Sequence, residues 1–450
     1  MNNVYIIENH DMALEIWLNN GVCAGTLIHV DAHFDYVPSK DAHYINIGNY
    51  LTYAVLGKLF KKIYWVVPDI FWKDLGYTQI IIDQLPHCFE VIDINEKTIR
   101  LKNTEFPLVD FAIIGISNTF ANMEEILDND LICVDIDIDY MMNPTVSQIY
   151  SYRYPSKSWC AAYELYSQLA PLIKKIDVVT IANSFYGGYT PLLHAYLSEY
   201  LYELFCDGME KKCKNFKLLE NGLDSLSIDD YYEAVNCYKQ VDGSFFTLLS
   251  KQIGLLYSYV STGNLYEAQK VYSILETHYK NYEAYYFPIS VLLFNKQLDL
   301  AKKMLEYWLQ VANLSEQANL YFLKYISCTE EVSNEFEIKK YASKITDLGT
   351  AYEKSYVLGN IYLQRLEYQK SINLFNSVLA FLRHNCTPAW CGQISSFEKH
   401  KNHGVIASHI YEKLMNAYIG LENYKMAKKY AMICKKMGRV NSKIEQILLC

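Results

Sequence analysis

The chain has 450 residues, of which 51% are hydrophobic and 20% charged, so it is long enough for two or three globular domains and too apolar for a disordered chain. Its formal net charge of −9 argues against a nucleic-acid partner. No basic leader opens the chain, no apolar run is long enough to span a membrane, and the 12 cysteines include no Cys-x-x-Cys pair. We therefore expect a cytoplasmic protein with reduced thiols and no membrane or nucleic-acid contact.

Residues 1–206 alternate between strand-like and helix-like segments. The strand-like runs are short, apolar and rich in β-branched residues, as expected of parallel strands covered on both faces. They occupy residues 4–8, 26–30, 63–67, 111–114, 131–134 and 178–181, and helical patterns occupy residues 12–19, 50–61 and 159–175. The sequence predicts an α/β domain with a mostly parallel sheet, in which ligands bind beyond the carboxyl ends of the strands.

Residues 207–230 carry turn and charge signals, and we interpret them as the connection to a second domain. From residue 231 to residue 450 only helical periodicity remains. One phrase recurs in this part, a turn followed by a helix with a small residue near its start. The small residue is Ala268 in one copy, Ala301 in the next, 33 residues later, and Ser371 in another, 70 residues after Ala301. A further copy with Ala427 does not keep this spacing. The pattern resembles tetratricopeptide repeats, which implies an all-α domain with a groove for a peptide or protein, and a plain helical bundle is the alternative.

Two clusters of carboxylates and imidazoles directly follow predicted strands. The first runs from His29 to Asp35 and contains Asp31 and His33, and the second contains Asp135, Asp137 and Asp139. Such groups are costly to bury unless a cation compensates their charge. With His10 upstream, they indicate one site for two divalent metal ions. Carboxylates outnumber imidazoles and no cysteine is near, so manganese fits better than structural zinc.

The first cluster should place its ligands on one side of the chain. If strand geometry persists, alternation brings Asp31, His33 and Asp35 together. We expect His29 to point away from the neighbours of His33 and to support the site or belong to the core.

These motifs resemble those of the ureohydrolase superfamily, which includes arginases and agmatinases and shares its fold with zinc deacetylases. The family's first metal histidine lies on a Gly-Asp-His-Ser turn, where this chain has Glu8-Asn9-His10-Asp11. Its Asp-Ala-His-x-Asp motif is present at residues 31–35, and its Ser-Phe-Asp-x-Asp-x-x-Asp-Pro motif is similar to residues 134–139 followed by Asn143-Pro144. The resemblance covers residues 4–206 and implies an arginase-like three-layer domain.

The resemblance leaves two registers for the second motif. Aligning the strand ends pairs Asp137 and Asp139 with the family's metal carboxylates and Asp135 with its serine, and we prefer this register. The other register uses Asp135 and Asp137.

The closest similarity is to a diverged branch that includes peptide arginases, which convert arginine side chains of a precursor peptide to ornithine. The family's guanidinium-binding Glu lies on the strand near Thr180, where this chain has no acid. Glu8, Asp11 and Asp41 are candidate replacements. Because the family's guanidinium-binding Glu is absent, free arginine is less well supported as the substrate than an arginine-containing peptide or protein.

The resemblance implies metal-assisted hydrolysis with release of urea. Asp35 would orient the attacking hydroxide, and His43, on the loop after Asp35, is a candidate to return a proton to the leaving amine. Two alternatives stay open: a catalytically inactive or structural metal domain on a helical-repeat scaffold, and an amide hydrolase of the deacetylase type. The complete ligand set disfavours the first, and His10 disfavours the second because it supplies a ligand for a second ion.

Overall fold

The structure is a computed structural model. It describes residues 3–31, 33–67, 81, 82, 85–96, 98–116, 131–141, 158, 160–185, 190–207, 213–279, 289, 292, 293, 296–311, 316–329, 332, 334–346, 348–385, 401–436 and 440–449.

An eight-stranded sheet forms the centre of the N-terminal part. Its strands are β1 (Asn3–Ile7), β2 (Gly25–Val30), β3 (Phe60–Val67), β4 (Phe89–Ile94), β5 (Thr98–Asn103), β6 (Asp110–Gly115), β7 (Ile132–Asp137) and β8 (Ile176–Ala182). Their order across the sheet is β1-β8-β7-β2-β3-β6-β5-β4. Strands β1, β8, β7, β2, β3 and β6 are parallel, and β5 pairs antiparallel with both β4 and β6. The predicted mostly parallel sheet is confirmed.

Helices of this part pack against the sheet and against each other. They are α1 (Ala13–Asn19), α2 (Tyr50–Leu56), α3 (Ala162–Leu169), α4 (Tyr196–Asp207), α5 (Cys213–Ser227), α6 (Tyr231–Lys239) and α7 (Phe245–Ser261). Helix α1 contacts α2 and β8, and α4 contacts β1 and β8. The fully buried Trp17 packs edge-on against Phe60, with ring centroids 4.9 Å apart. This apolar packing holds α1 against the start of β3.

The predicted helix at 50–61 ends earlier than expected. Its last residue is Leu56, because Gly57 caps it and Lys58 adopts a positive φ of 57°. The chain then enters β3 at Phe60. The pattern at 159–175 divides into α3 and a 3-10 helix, Ala170–Lys175, with Pro171 at its start. Trp159, the first residue of the predicted pattern, lies outside the described residues.

The β4–β5 pair was not predicted. Strand β4 is mostly exposed, with polar residues such as Glu90 and Asp93 among its apolar ones. A search for continuous apolar runs therefore finds the central parallel strands and misses this pair, which lies at one edge of the sheet.

The C-terminal part is helical throughout its described residues. Its helices are α8 (Leu265–His278), α9 (Leu298–Val311), α10 (Glu316–Cys328), α11 (Glu335–Ala342), α12 (Leu348–Gln364), α13 (Tyr368–Asn385), α14 (Lys401–Gly420), α15 (Tyr424–Lys436) and α16 (Ser442–Leu449). Within the described residues, none of the helices combines the length and apolar character needed to cross a bilayer.

The described residues divide into two compact units, and the boundary falls between Ser258 and Tyr259. The predicted division had placed a connection at 207–230. Residues 213–227 of that segment form α5, and α5, α6 and most of α7 belong to the first unit. The loss of strand signals marks the end of the sheet, but these three helices still belong to the same compact unit.

Candidate metal centre

The acidic and imidazole side chains meet at the carboxyl ends of β1, β8, β7 and β2, which are consecutive in the sheet. His10 lies in a 3-10 helix, His10–Met12, that follows β1, and Asp31, His33 and Asp35 follow β2. Asp135 and Asp137 are in β7, and Asp139 lies in the 3-10 helix Ile138–Met141 that follows it. Because these strands are parallel, residues far apart in sequence reach one edge of the sheet, the edge where ligands bind in such folds.

One group of ligand atoms surrounds His10 Nδ1. Asp31 Oδ2 lies 3.0 Å from this nitrogen, and Asp35 Oδ2 and Asp137 Oδ2 each lie 3.3 Å from it. The His10 and Asp31 side chains are 1% and 0% exposed. Three carboxylates therefore face one imidazole nitrogen in a buried space.

A second group shares Asp31 with the first. His33 Nδ1 lies 3.0 Å from Asp139 Oδ2 and 3.5 Å from Asp31 Oδ1. The ligand atoms of Asp31, His33 and Asp139 all lie within 4.8 Å of one another, as do those of His10, Asp31 and Asp35. The His33 side chain is 33% exposed, so the centre is open on the side of the second group.

Several buried atoms of these groups have no hydrogen-bond partner within the described part of the chain: His10 Nδ1, Asp31 Oδ2 and Asp139 Oδ1. The first two lie 3.0 Å apart without hydrogen-bond geometry. Buried polar atoms are normally satisfied, and exceptions of this kind point to an ion or water. The residues therefore fit a divalent cation, which carboxylate oxygens and imidazole nitrogens would bind.

The pKa values reflect the crowding of negative charge. Burial, together with neighbouring carboxylates, raises the pKa of Asp35 to about 6 and that of Asp139 to about 7, although nearby imidazoles oppose part of each rise. Burial lowers the pKa of His10, but Asp135, Asp137 and Asp31 outweigh it, so this pKa lies well above its usual value. The pKa of His33 is also raised, because Asp139 and Asp31 overcome the effect of burial. The cluster favours bound protons, which a cation would replace.

Asp135 is engaged in supporting contacts. Its Oδ2 lies 2.8 Å from His10 Nε2 and accepts a 2.7 Å hydrogen bond from Tyr50, and its Oδ1 accepts one of 2.5 Å from Thr180. A carboxylate that holds the far nitrogen of a histidine fixes its ring and directs the other nitrogen to a metal. This arrangement is compatible with the register in which Asp137 and Asp139 face the metal, but the ligand atoms of His10, His29 and Asp135 also lie within 4.8 Å of one another and form a third group that could hold an ion.

The expectation that His29 points away from the site is wrong. Its Nδ1 lies 3.2 Å from Asp135 Oδ2, and its Nε2 lies 3.5 Å from Asp31 Oδ2 and 3.2 Å from the carbonyl oxygen of His33. The reason is elementary, because residues 29 and 31 are two apart and side chains two apart in a strand share a face. Both ring nitrogens are occupied, so His29 supports Asp135 and the loop after β2.

The three residues of the first motif come together, although not by strand alternation. Strand β2 ends at Val30, and Asp35 has a positive φ of 48°. The Trp65 indole donates to the Asp31 carbonyl oxygen at 2.9 Å, and the backbone N–H of His33 donates to Asp31 Oδ1 at 2.6 Å. The positive φ of Asp35 is a backbone conformation in which residues other than glycine are strained, and such strain is typical of functional sites.

The other predicted residues differ in their relation to the centre. His43 and Asp41 are exposed, and in the part of the chain that is described neither has a hydrogen bond or ion pair with the cluster. Thr180 is fully buried behind Asp135, which leaves it no exposed surface for a substrate. Glu8 and Asp11 are partly buried near the end of β1. Asn143 and Pro144 lie outside the described residues.

Two supporting residues were not assigned from the sequence. Tyr50, the first residue of α2, is fully buried and donates to Asp135, and burial raises the pKa of its phenol well above the usual value. Ser184 donates to Asp137 Oδ2 at 2.7 Å from a backbone with a φ of 50°. Both lie within residues 4–206, which the family resemblance covers, but neither is a residue type that by itself signals a metal site.

No family model matches the chain, and no curated protein matches it.

Proposed function

We propose that this protein is a metal-dependent hydrolase of the ureohydrolase type, which converts arginine side chains of a peptide or protein to ornithine and releases urea. The observation that carries the proposal is the pair of ligand groups that share Asp31, in which buried ligand atoms have no hydrogen-bond partner among the described residues. We assign two manganese ions to these groups because oxygen ligands predominate. The parallel sheet and the place of the centre support an arginase-like domain.

His10, Asp31, Asp35 and Asp137 would hold one ion, and Asp31, His33 and Asp139 the other. Bound divalent ions supply a hydroxide near neutral pH and polarise the group under attack. Asp35, which is 12% exposed beside the more open His33, would orient that hydroxide and accept its proton. Asp135 keeps the His10 ring in place, and Ser184 does the same for Asp137. His43 stays a candidate proton donor for the leaving amine.

The helical part is proposed to hold the peptide. Two of its helix pairs are joined by connections of the same design, at residues 365–367 and 421–423, and a connection of this design at residues 262–264 precedes α8. The small residues after them, Ala268, Ser371 and Ala427, are buried at the packing surface between helices. Such pairs fit a tetratricopeptide-like array, whose repetition produces an extended surface suited to a peptide or another protein.

The deciding experiment uses the manganese-loaded full chain and peptides with one internal arginine. Hydrolysis should release one urea for each ornithine formed, with a net loss of CH2N2 from the peptide in mass spectra. The variants His33→Ala and Asp35→Ala should abolish this release, since each removes a ligand of one group. His87→Ala, at an exposed histidine remote in sequence from both motifs, is the matched control and should retain activity.

Two results would contradict the proposal. Metal analysis of the purified chain could find no bound divalent ion after manganese loading. Alternatively, the loaded protein could leave every arginine peptide intact while it hydrolyses the matching acyl-lysine peptide, which would identify an amide hydrolase.

A further inference from the structure

Glu8 and Asn183 are neighbours at the edge of the metal centre. Strands β1 and β8 end in register, with Ile7 opposite Ala182. Their pairing continues beyond the strands, because the backbone N–H of Asn183 donates to the Ile7 carbonyl at 2.9 Å and that of Ser184 to the Glu8 carbonyl at 3.2 Å. Glu8 therefore lies opposite Asn183.

Both residues are close in sequence to residues of the centre. His10 lies two positions after Glu8, and Ser184, whose hydroxyl donates to Asp137, directly follows Asn183. The pair is thus placed by two residues that contact the proposed ligands. The chain therefore brings the pair to the same edge of the sheet as the first ligand group.

One oxygen of each residue in this pair lacks a partner. Asn183 is 1% exposed, and its amide oxygen has no hydrogen bond within the described residues. Glu8 Oε1 is likewise buried without a partner in that part of the chain. The Asn183 side chain lies within hydrogen-bonding reach of the Glu8 carboxyl. Leaving buried oxygens unsatisfied is costly, so a bound group should complete them.

The missing partner must donate hydrogen bonds and carry positive charge. The Glu8 carboxylate accepts only, and the Asn183 amide oxygen accepts as well. A planar cation with several N–H donors, such as a guanidinium, satisfies both oxygens at once. A neutral urea-like group has the same shape but lacks the charge that Glu8 would favour.

We propose that Glu8 and Asn183 bind the guanidinium end of the substrate beside the metal centre and are the residues that select arginine over its neutral analogues. This inference rests on the proposed function for the release of urea. The binding of the arginine side chain does not depend on it and is measured separately. Of the three acids nominated from the sequence, it selects Glu8 and adds Asn183, which the sequence did not indicate.

The test measures binding of blocked tripeptides with a central arginine or citrulline to the metal-loaded full chain, by calorimetry with recovery of intact peptide. Where turnover is too fast, KM for urea release replaces the dissociation constant. The wild type should prefer arginine by at least about tenfold, the effect of one charge-assisted hydrogen bond. Glu8→Gln and Asn183→Ala should each weaken arginine binding by about tenfold, and Glu8→Gln should remove the preference.

Metal content must be unchanged in each variant that is interpreted. Glu15→Gln, at an exposed acid on α1, is the matched control and should bind like the wild type. If Glu8→Gln disturbs the metal, Asn183→Ser decides the question.

Retention of the full arginine preference in Glu8→Gln, or in Asn183→Ser where that variant decides, would overturn the inference. So would equal binding of arginine and citrulline by the wild type, even if urea is released, in which case the proposed function stands alone. Conversely, a preference that depends on Glu8 without any urea release would support the binding site and refute the reaction.

Discussion

Asp135 decides how the cluster can bind a metal. Its two oxygens are occupied by Thr180, Tyr50 and the imidazoles of His10 and His29, while Asp137 and Asp139 flank the proposed metal groups. Burial opposes its ionisation, but the two histidines outweigh burial and keep its pKa below the usual value. Asp135 is therefore an ionised support that orients His10.

Asp135→Asn should weaken metal binding without removing a ligand. We expect a loss of about 10- to 100-fold in manganese affinity, the usual effect of removing a supporting carboxylate. Asp139→Asn should lose more, because it removes a ligand atom. Titration with manganese, followed by metal analysis, measures both, and Asp110→Asn on the exposed start of β6 is the control. The opposite ranking, with Asp135→Asn the more severe variant, would favour the other register.

The hydrogen bond from Tyr50 to Asp135 should contribute to stability. Tyr50→Phe keeps the buried ring but removes a donor to a buried carboxylate, and we expect the free energy of unfolding to fall by about 1.5–3 kcal/mol. Urea denaturation of the metal-free protein measures this change. Tyr44→Phe, at a side chain that is 71% exposed, should change stability by less than about 0.5 kcal/mol. Equal midpoints and slopes for Tyr50→Phe and the wild type would show that the bond makes no net contribution.

At the scale of elements, the helical part repeats one type of connection. Its positive-φ residue is Gly263 at 72°, Lys296 at 56°, Leu366 at 62° or Glu422 at 57° in four described copies. In each, the next backbone N–H donates to a carbonyl five residues back, that of Tyr259, Leu292, Tyr362 or Tyr418 respectively. This is the left-handed cap that normally favours glycine. Among these copies only the first uses glycine, so the other three are strained.

Glycine at the strained positions should stabilise the protein. Leu366→Gly and Glu422→Gly remove side chains that are exposed, and we expect each to raise the free energy of unfolding by about 0.5–1 kcal/mol. The reverse change, Gly263→Ala, should lower it by about 1 kcal/mol. Thermal and denaturant unfolding of the full chain would measure these differences. A loss of stability in both glycine variants would mean that these side chains contribute more than the strain costs.

At the scale of the whole molecule, the first compact unit extends well past the sheet. Glu199 of α4 accepts hydrogen bonds from the backbone N–H groups of Phe246 and Thr247, which begin α7. The Ser250 hydroxyl of α7 donates to the Leu192 carbonyl at 3.3 Å. A protein cut at residue 230 would lose these contacts, including every one of these hydrogen bonds to Glu199.

Truncation should therefore depend on where the chain is cut. We expect residues 1–261 to fold, bind manganese with the affinity of the full chain and process an extended peptide poorly. Residues 1–230 should be markedly less stable, as shown by thermal unfolding and metal content. Full peptide processing by residues 1–261 would exclude a docking role for the helical part. Equal stability of the two fragments would show that α6 and α7 are dispensable.

The sequence alone determined the mostly parallel sheet, the change to helices and the density of ligands after β2 and β7, because these features depend on local periodicity and composition. It could not determine that Asp135 and Thr180 face each other, that Tyr50 completes the support, or that Glu8 and Asn183 end β1 and β8 side by side. Those contacts join residues far apart in the chain, and they exist only because parallel strands bring their carboxyl ends to one edge. Local alternation also failed where β2 ends, because the backbone at Asp35 leaves strand geometry.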